Sequence, residues 1–154
     1  MNRRNFITLL GGAAAWPLAA WAQQGDRVRR IGVLMGFDES DPEGNLRYSA
    51  FTRALADLGW TDGRNVRTDV RWAGGDPNRT RAFAQELVGL QPDILVGAAG
   101  TSTAALQRET RTIPIVFVIA GDPVASGIVA RLDRPSGNVT GFANWEPTVG
   151  GKWA

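Results

Sequence analysis

From Arg29 onward the apolar positions follow two alternating rhythms. "RRIGVLMG" opens with a short apolar run, and Ile31 to Met35 reads as a buried strand that stops at Gly36. Asp41-Pro42-Glu43 supplies an N-cap, a first-position proline and a first-turn acid. Leu46, Ala50, Phe51, Ala54, Leu55 and Leu58 follow at helical spacing, and Gly59 suits the helix end. "NVRTDVRW" alternates: Val66, Thr68, Val70 and Trp72 share one face, and Arg67, Asp69 and Arg71 the other. That pattern predicts a half-exposed strand near a sheet edge.

The cycle then repeats. Asp76-Pro77 opens a second helix with Phe83, Leu87 and Leu90 facing inward, and Gln91-Pro92 ends it. "DILVG" predicts a strand buried on both faces, and Thr101 to about Thr110 a third helix. Pro114 to Ile119 predicts another buried strand. Gly121-Asp122-Pro123 leads into a short helical piece, Arg134 to Gly137 turns the chain, and "NVTGF" predicts the last strand. Strand and helix in alternation predict an α/β, doubly wound parallel sheet of about five strands. In such sheets ligands sit beyond the carboxyl ends of the strands. Three loops leave those ends: Gly36–Asp41, Gly97–Thr103 and Ala120–Val124.

The first 28 residues follow neither rhythm. "MNRRNFITLLGGAAAWPLAAWAQQ" has a basic start, an apolar stretch from Phe6 to about Ala20, and Ala20-Trp21-Ala22 as a small-x-small cleavage site. The paired Arg3 and Arg4, followed by Phe6, resemble a twin-arginine export signal, read through by the twin-arginine machinery. The expected division is a signal peptide at 1–22 cut after Ala22, a linker at 23–28, and a folded lobe at 29–143. The expected location is the periplasm.

Composition narrows the chemistry. The 154 residues contain no cysteine and no histidine, which excludes thiol and histidine-based catalysis and the usual zinc sites. No metal and no cofactor is expected. Lys and Arg number 17 and Asp and Glu 15, so Arg3 and Arg4 account for the whole basic excess. No basic patch points to nucleic acid.

The stretch "GAAGTSTAAL" carries the candidate site. Gly100, Thr101, Ser102 and Thr103 stand where a strand hands over to a helix, whose unpaired N–H groups attract anions. They suit a carboxylate or phosphate; equally, one hydroxyl caps the helix and the others face solvent. GxxxxGK[ST], GxGxxG and GxSxG are all missing, so phosphate-loop and serine-nucleophile readings find no motif. Phe37 either stacks on a flat ligand or packs locally. Asp122 either meets an ammonium group or organises a turn.

The chain resembles the N-terminal half of an ABC-transporter substrate-binding protein of the tryptophan/tyrosine-type periplasmic family. The stretches that carry the likeness are "RRIGVLMG", "AFTRALADLGWTDGRNV", "RWAGGDPNR", "ELVGLQPDILV", "TSTAALQRETRTIPIVFV", "DPVASGIVARLDRPSGNVTGF" and "GGKW". The resemblance implies one lobe of a type I periplasmic-binding fold, closing with a second lobe on a small solute such as an amino acid and presenting it to a membrane permease. It implies that Gly100 to Thr103 hold the solute's carboxylate, that the Phe37 and Asp122 loops face the same cleft, and that the protein is not an enzyme. It also implies that residues 144–154 begin a crossover to a second lobe, cut short in this sequence. Two other classes stay open on the residues alone: an enzyme on a Rossmann-like sheet, and an orphan sensing lobe docked on a membrane receptor.

Overall fold

A computed structural model describes residues 27–131, 133–134 and 137–143. The expected signal peptide with Arg3, Arg4, Phe6 and Ala22, most of the linker, and the 144–154 crossover lie outside the described residues. The elements are β1 (Arg29–Met35), α1 (Pro42–Asp57), β2 (Val66–Trp72), α2 (Pro77–Gly89), β3 (Ile94–Ala98), α3 (Gly100–Glu109), β4 (Ile115–Ala120) and β5 (Val139–Ala143). The five strands form one sheet in the order β2-β1-β3-β4-β5, every pair parallel. The doubly wound sheet expected from the alternation is therefore present, with β2 at an edge.

The strand order decides which face each helix covers. Only the β1-to-β2 connection runs toward the β2 edge; the others run toward β5. Right-handed crossovers then put α1 on one face and α2 and α3 on the other. The two apolar clusters match this division. Leu34, Leu95, Ile115 and Phe117 point to the side of Leu87 from α2 and Leu106 from α3. Ile31, Val33, Met35, Val96 and Ala98 point to the side of Tyr48, Phe51 and Leu55 from α1. Strands in the middle of the sheet are apolar toward both clusters, which is why "IGVLM" and "ILVGA" read as unbroken runs.

Two departures from the expected pattern have local causes. The apolar stripe of α1 splits: Phe51 and Leu55 are half-buried, while Leu46 and Leu58 are 70% and 77% exposed. Periodicity defines a stripe, but α1 lies over only one margin of its sheet face, so part of the stripe has nothing to meet. The piece after Asp122 makes a single turn, with Ser126 N–H donating to the Asp122 carbonyl at 3.0 Å. Gly127 then takes φ +71, a left-handed conformation that ends the turn before a helix propagates.

Candidate functional site

The carboxyl ends of β1, β3 and β4 lie side by side, so their loops share one edge of the sheet. The β1 loop runs from Gly36 to Asp41. Asp38 accepts from the Ser40 N–H at 3.2 Å and from its hydroxyl at 3.0 Å. These bonds, helped by the Arg79 guanidinium, hold the Asp38 carboxyl below its ordinary range. Asp41 closes the loop by accepting from Glu43 N–H at 2.8 Å and Gly44 N–H at 3.3 Å, which caps α1. Phe37 is half-buried. Its Cβ and ring lie so near Gly44 that a Cβ there would come within 2.6 Å of Phe37, and within 3.1 Å of Trp72. The Arg47 guanidinium carbon stands 5.7 Å from the Phe37 ring centroid. Of the two roles open to Phe37, local packing is the one its contacts display.

The β3 loop is far shorter. Ala99 alone separates β3 from α3, and it occupies the N-cap with φ −174 and ψ 161. An alanine has no cap to offer, and no side chain bonds the N-terminus. Among the described residues, no acceptor meets the N–H groups of Gly100, Thr101 or Ser102. The first regular bond of the helix is Thr103 N–H to the Ala99 carbonyl at 3.0 Å.

The three hydroxyls diverge because successive helix positions are rotated by roughly 100°. Thr101 is exposed and faces α2, on the wall of a groove of about 630 Å³ that Asn78, Arg81 and Arg108 also line. Thr103 is fully buried, and its one hydroxyl proton is donated to the Ala99 carbonyl at 2.9 Å, with the Gly97 carbonyl sharing it at 3.3 Å. This bond ties the first turn of α3 to the end of β3. Ser102 is equally buried, yet its Oγ has no hydrogen-bond partner among the described residues. It lies beside Gly36: a Cβ on that glycine would stand 3.7 Å from Ser102 Oγ and 2.7 Å from Ala99 Cβ. The end of β1 and the start of α3 thus touch backbone to side chain, which only glycine at position 36 permits.

The β4 loop completes the edge. The Asp122 carboxylate accepts from the N–H groups of Val124 at 3.0 Å and Ala125 at 2.9 Å. Its carbonyl takes the Ser126 hydroxyl at 2.6 Å. One carboxylate oxygen, Oδ1, and the backbone carbonyl thereby organise its own turn. The segment then returns to α3, where Gln107 donates to the Ile128 carbonyl at 2.8 Å and Ile128 Cδ1 approaches Gly100. Gly36, Ala99, Gly100 and Ser102 are brought together; the Phe37 ring packs on Gly44 and Arg47 of α1 and Trp72 of β2, and the Asp122 carboxylate bonds within its own turn.

Two other perturbed acids, Asp69 and Asp93, bind at β1 away from this edge. Asp69 on β2 is held below the usual carboxylate range by its bond to Arg30 Nε at 2.6 Å. Asp93 is held low chiefly by the Arg30 backbone N–H, at 2.8 Å. Asp69 ties β2 to β1 through Arg30, and Asp93 ties the residue before β3 to β1 through the Arg30 N–H and the Arg29 guanidinium.

A family profile described as "ABC transporter substrate binding protein" matches residues 39–149. The chain belongs to this ABC transporter substrate-binding protein family. Among its relatives is a tyrosine-binding protein of Clostridioides difficile, strain R20291, 34% identical over 95 residues, which span 62% of this chain and 28% of the relative. Among solved structures, a conserved domain protein from Vibrio cholerae O1 biovar El Tor superposes with a TM-score of 0.74 at 32% identity, over 82% of this chain and 42% of that one. The ABC domain from Streptococcus pneumoniae in complex with L-Trp gives a TM-score of 0.69 at 31% identity, over 75% of this chain and 38% of that one. The chain therefore spans less than half the length of these relatives. What it shares with them is a sheet-and-helix lobe of the periplasmic-binding kind.

The sequence pattern singles out Gly100 to Thr103, and the structure adds how this junction differs from its neighbours. That pattern puts the helix start at Thr101; the helix starts at Gly100, with alanine in the cap position. The signal was there to read, since Asp41-Pro42 and Asp76-Pro77 precede the other two helices and no such pair precedes α3. The contact of Gly36 with Ala99 joins residues far apart in sequence and had no local signature.

Proposed function

We propose that this lobe serves as the solute-binding component of an ABC-type uptake system and that the start of α3 holds the carboxylate of a small solute. The observation that carries the reading is the buried Ser102 hydroxyl, which has no partner among the described residues, at a helix N-terminus with three N–H groups unbonded among them. A buried polar group left unpaired costs on the order of 1–3 kcal/mol, so a site that retains one is poised to satisfy it with a ligand. An anion there gains from the partial positive charge of the helix end as well. In this reading Gly100, Thr101 and Ser102 present donors, and Thr103 fixes the turn that aims them. Phe37 and Asp122 shape the rim through the β1 and β4 loops. The L-Trp complex and the tyrosine-binding relative favour an aromatic amino acid as solute. Residues 1–22 act as a twin-arginine signal that delivers the lobe to the periplasm, where a membrane permease is its partner.

The test is calorimetric titration of the chain with L-Trp and L-Tyr, each against its decarboxylated amine. A lobe that touches a solute from one side binds it at about millimolar strength, roughly 4 kcal/mol. The amino acids bind at that level and the amines bind at least tenfold more weakly. Equal binding of acid and amine, or none of either at 20-fold higher concentration (about 20 mM, roughly 2.3 kcal/mol), refutes the carboxylate site.

A further inference from the structure

The glycines at positive φ, such as Gly74 at +61, are explained by their own backbone, but Gly36 is not among them. Its bare Cα has another cause. Along β1, Ile31, Val33 and Met35 join the cluster on the α1 side, and Leu34 the cluster on the side of α2 and α3. Alternation gives position 36 to the α3 side, at the end of the sheet where α3 begins. A Cβ there would stand 2.7 Å from Ala99 Cβ, a distance that real methyl groups do not adopt, and 3.7 Å from Ser102 Oγ. Gly97 makes the same close approach on the neighbouring strand, under Thr103. The opening turn of α3 thus rests on two glycines from adjacent strands.

A side chain at position 36 would have to displace one of two partners, and these are not held equally. On the β1 side, both flanking residues are pinned. The Met35 carbonyl accepts from Ala73 N–H at 3.0 Å, and the Phe37 carbonyl from Gly74 N–H at 2.9 Å. On the α3 side, Ala99 offers no side-chain cap, and the first bond that holds the turn is that of Thr103 N–H. The start of α3 yields first.

We propose that Gly36 is a positioning residue for the solute. By meeting Ala99 and Ser102 without a side chain, it sets the height at which the turn presents its N–H groups and the Ser102 hydroxyl. This role rests on the reading of that turn as the carboxylate seat. A methyl group at position 36 tilts the Ala99–Ser102 backbone off the sheet and lies against Ser102 Oγ. The donors then no longer converge on two carboxylate oxygens, and hydrogen bonds weaken steeply once misdirected.

Calorimetric titration with L-Trp and unfolding in urea test this on the full 154-residue chain and on Gly36→Ala, Ala99→Gly, the pair of both, and Gly32→Ala. Gly32 is a matched control on the same strand and face. A Cβ there would come within 2.8 Å of Leu95 Cδ2 and 3.4 Å of Leu87 Cδ2, four residues away from the α3 start. Both single alanine variants unfold at lower urea. Gly36→Ala alone also loses L-Trp affinity, by about tenfold, the scale of one lost hydrogen bond. The pair recovers to within about twofold of Ala99→Gly, because the methyl group that met the new Cβ is gone. Equal affinity losses for Gly32→Ala and Gly36→Ala overturn the proposal. Parent-like affinity of Gly36→Ala, or a pair as weak as Gly36→Ala, overturns it too. Should Gly36→Ala fail to fold, the pair must fold and bind, and its failure to do so is equally fatal. Each of these results leaves the carboxylate seat standing as long as the parent chain binds. A parent chain that binds L-Trp no better than the decarboxylated amine removes the seat, and the role of Gly36 with it.

Discussion

The three strand-to-helix junctions of this lobe are built on two plans. At β1–α1 and β2–α2 an aspartate caps the helix and a proline starts it: Asp41 bonds the N–H groups of Glu43 and Gly44, and Asp76 bonds that of Arg79 at 2.8 Å. At β3–α3 there is one linking residue, an alanine, and among the described residues three N–H groups have no acceptor. The first two junctions satisfy themselves and need no visitor. The third spends its hydroxyls elsewhere: Thr103 on the backbone beneath it, Ser102 on nothing. Three hydroxyl residues in a row therefore do not signify a cap. The cap-bearing helices are marked by Asp-Pro, and the candidate ligand edge by its absence.

The sharpest way to break the uncapped junction is to widen it. Gly97 lies so close under α3 that a Cβ there would come within 2.9 Å of Thr103 Cα and 3.0 Å of its N. Gly97→Val forces α3 off the sheet. Overpacking of this kind costs typically 1–3 kcal/mol, and backbone in the clash puts this case at about 3 kcal/mol or beyond, read as loss of cooperative unfolding in urea. Thr103→Val keeps the shape and removes the hydroxyl bond that the Ala99 and Gly97 carbonyls share. It lowers stability by about 1–2 kcal/mol, measured as a shift of the urea midpoint at constant m-value.

The capped junctions respond differently. Asp76→Ala removes a cap and costs about 1 kcal/mol, with no effect on solute titrations because nothing at that junction awaits a ligand. Equal losses of binding for Asp76→Ala and for changes in the α3 turn would erase the distinction. The smallest effect on folding comes from Ser102→Ala. Its hydroxyl bonds nothing in the free lobe, so stability stays within about 0.5 kcal/mol of the parent or rises, while amino-acid affinity falls several-fold. A substantial loss of stability would mean that Ser102 has an internal partner and that the edge is as self-satisfied as the others.

Much of the lobe was legible from residue order. Asp41-Pro42 and Asp76-Pro77 marked helix starts because proline tolerates only the first turn and aspartate reaches its free N–H groups. The charged alternation of Arg67, Asp69 and Arg71 marked β2 as an edge, and the unbroken apolar run of β3 marked the middle. Where each hydroxyl of "TST" goes was not legible, because it depends on a helix start misplaced by one residue, or roughly 100° of rotation. The exposure of Leu46 and Leu58 was not legible either. An amphipathic stripe reports that α1 prefers a covered face, and says nothing of how far the sheet beneath it extends.

Three backbone protons left open at the start of α3 also make that turn a reporter. Among the described residues the amides of Gly100 and Thr101 have no acceptor, whereas the amide of Thr103, one turn along, is bonded to Ala99. Deuterium entering the chain should reach the first two at nearly the rate of an open peptide and the last far more slowly. The boundary between fast and slow falls inside a single helical turn. Occupancy by any acceptor moves it toward Gly100, so the lobe carries its own clock for the presence of a guest.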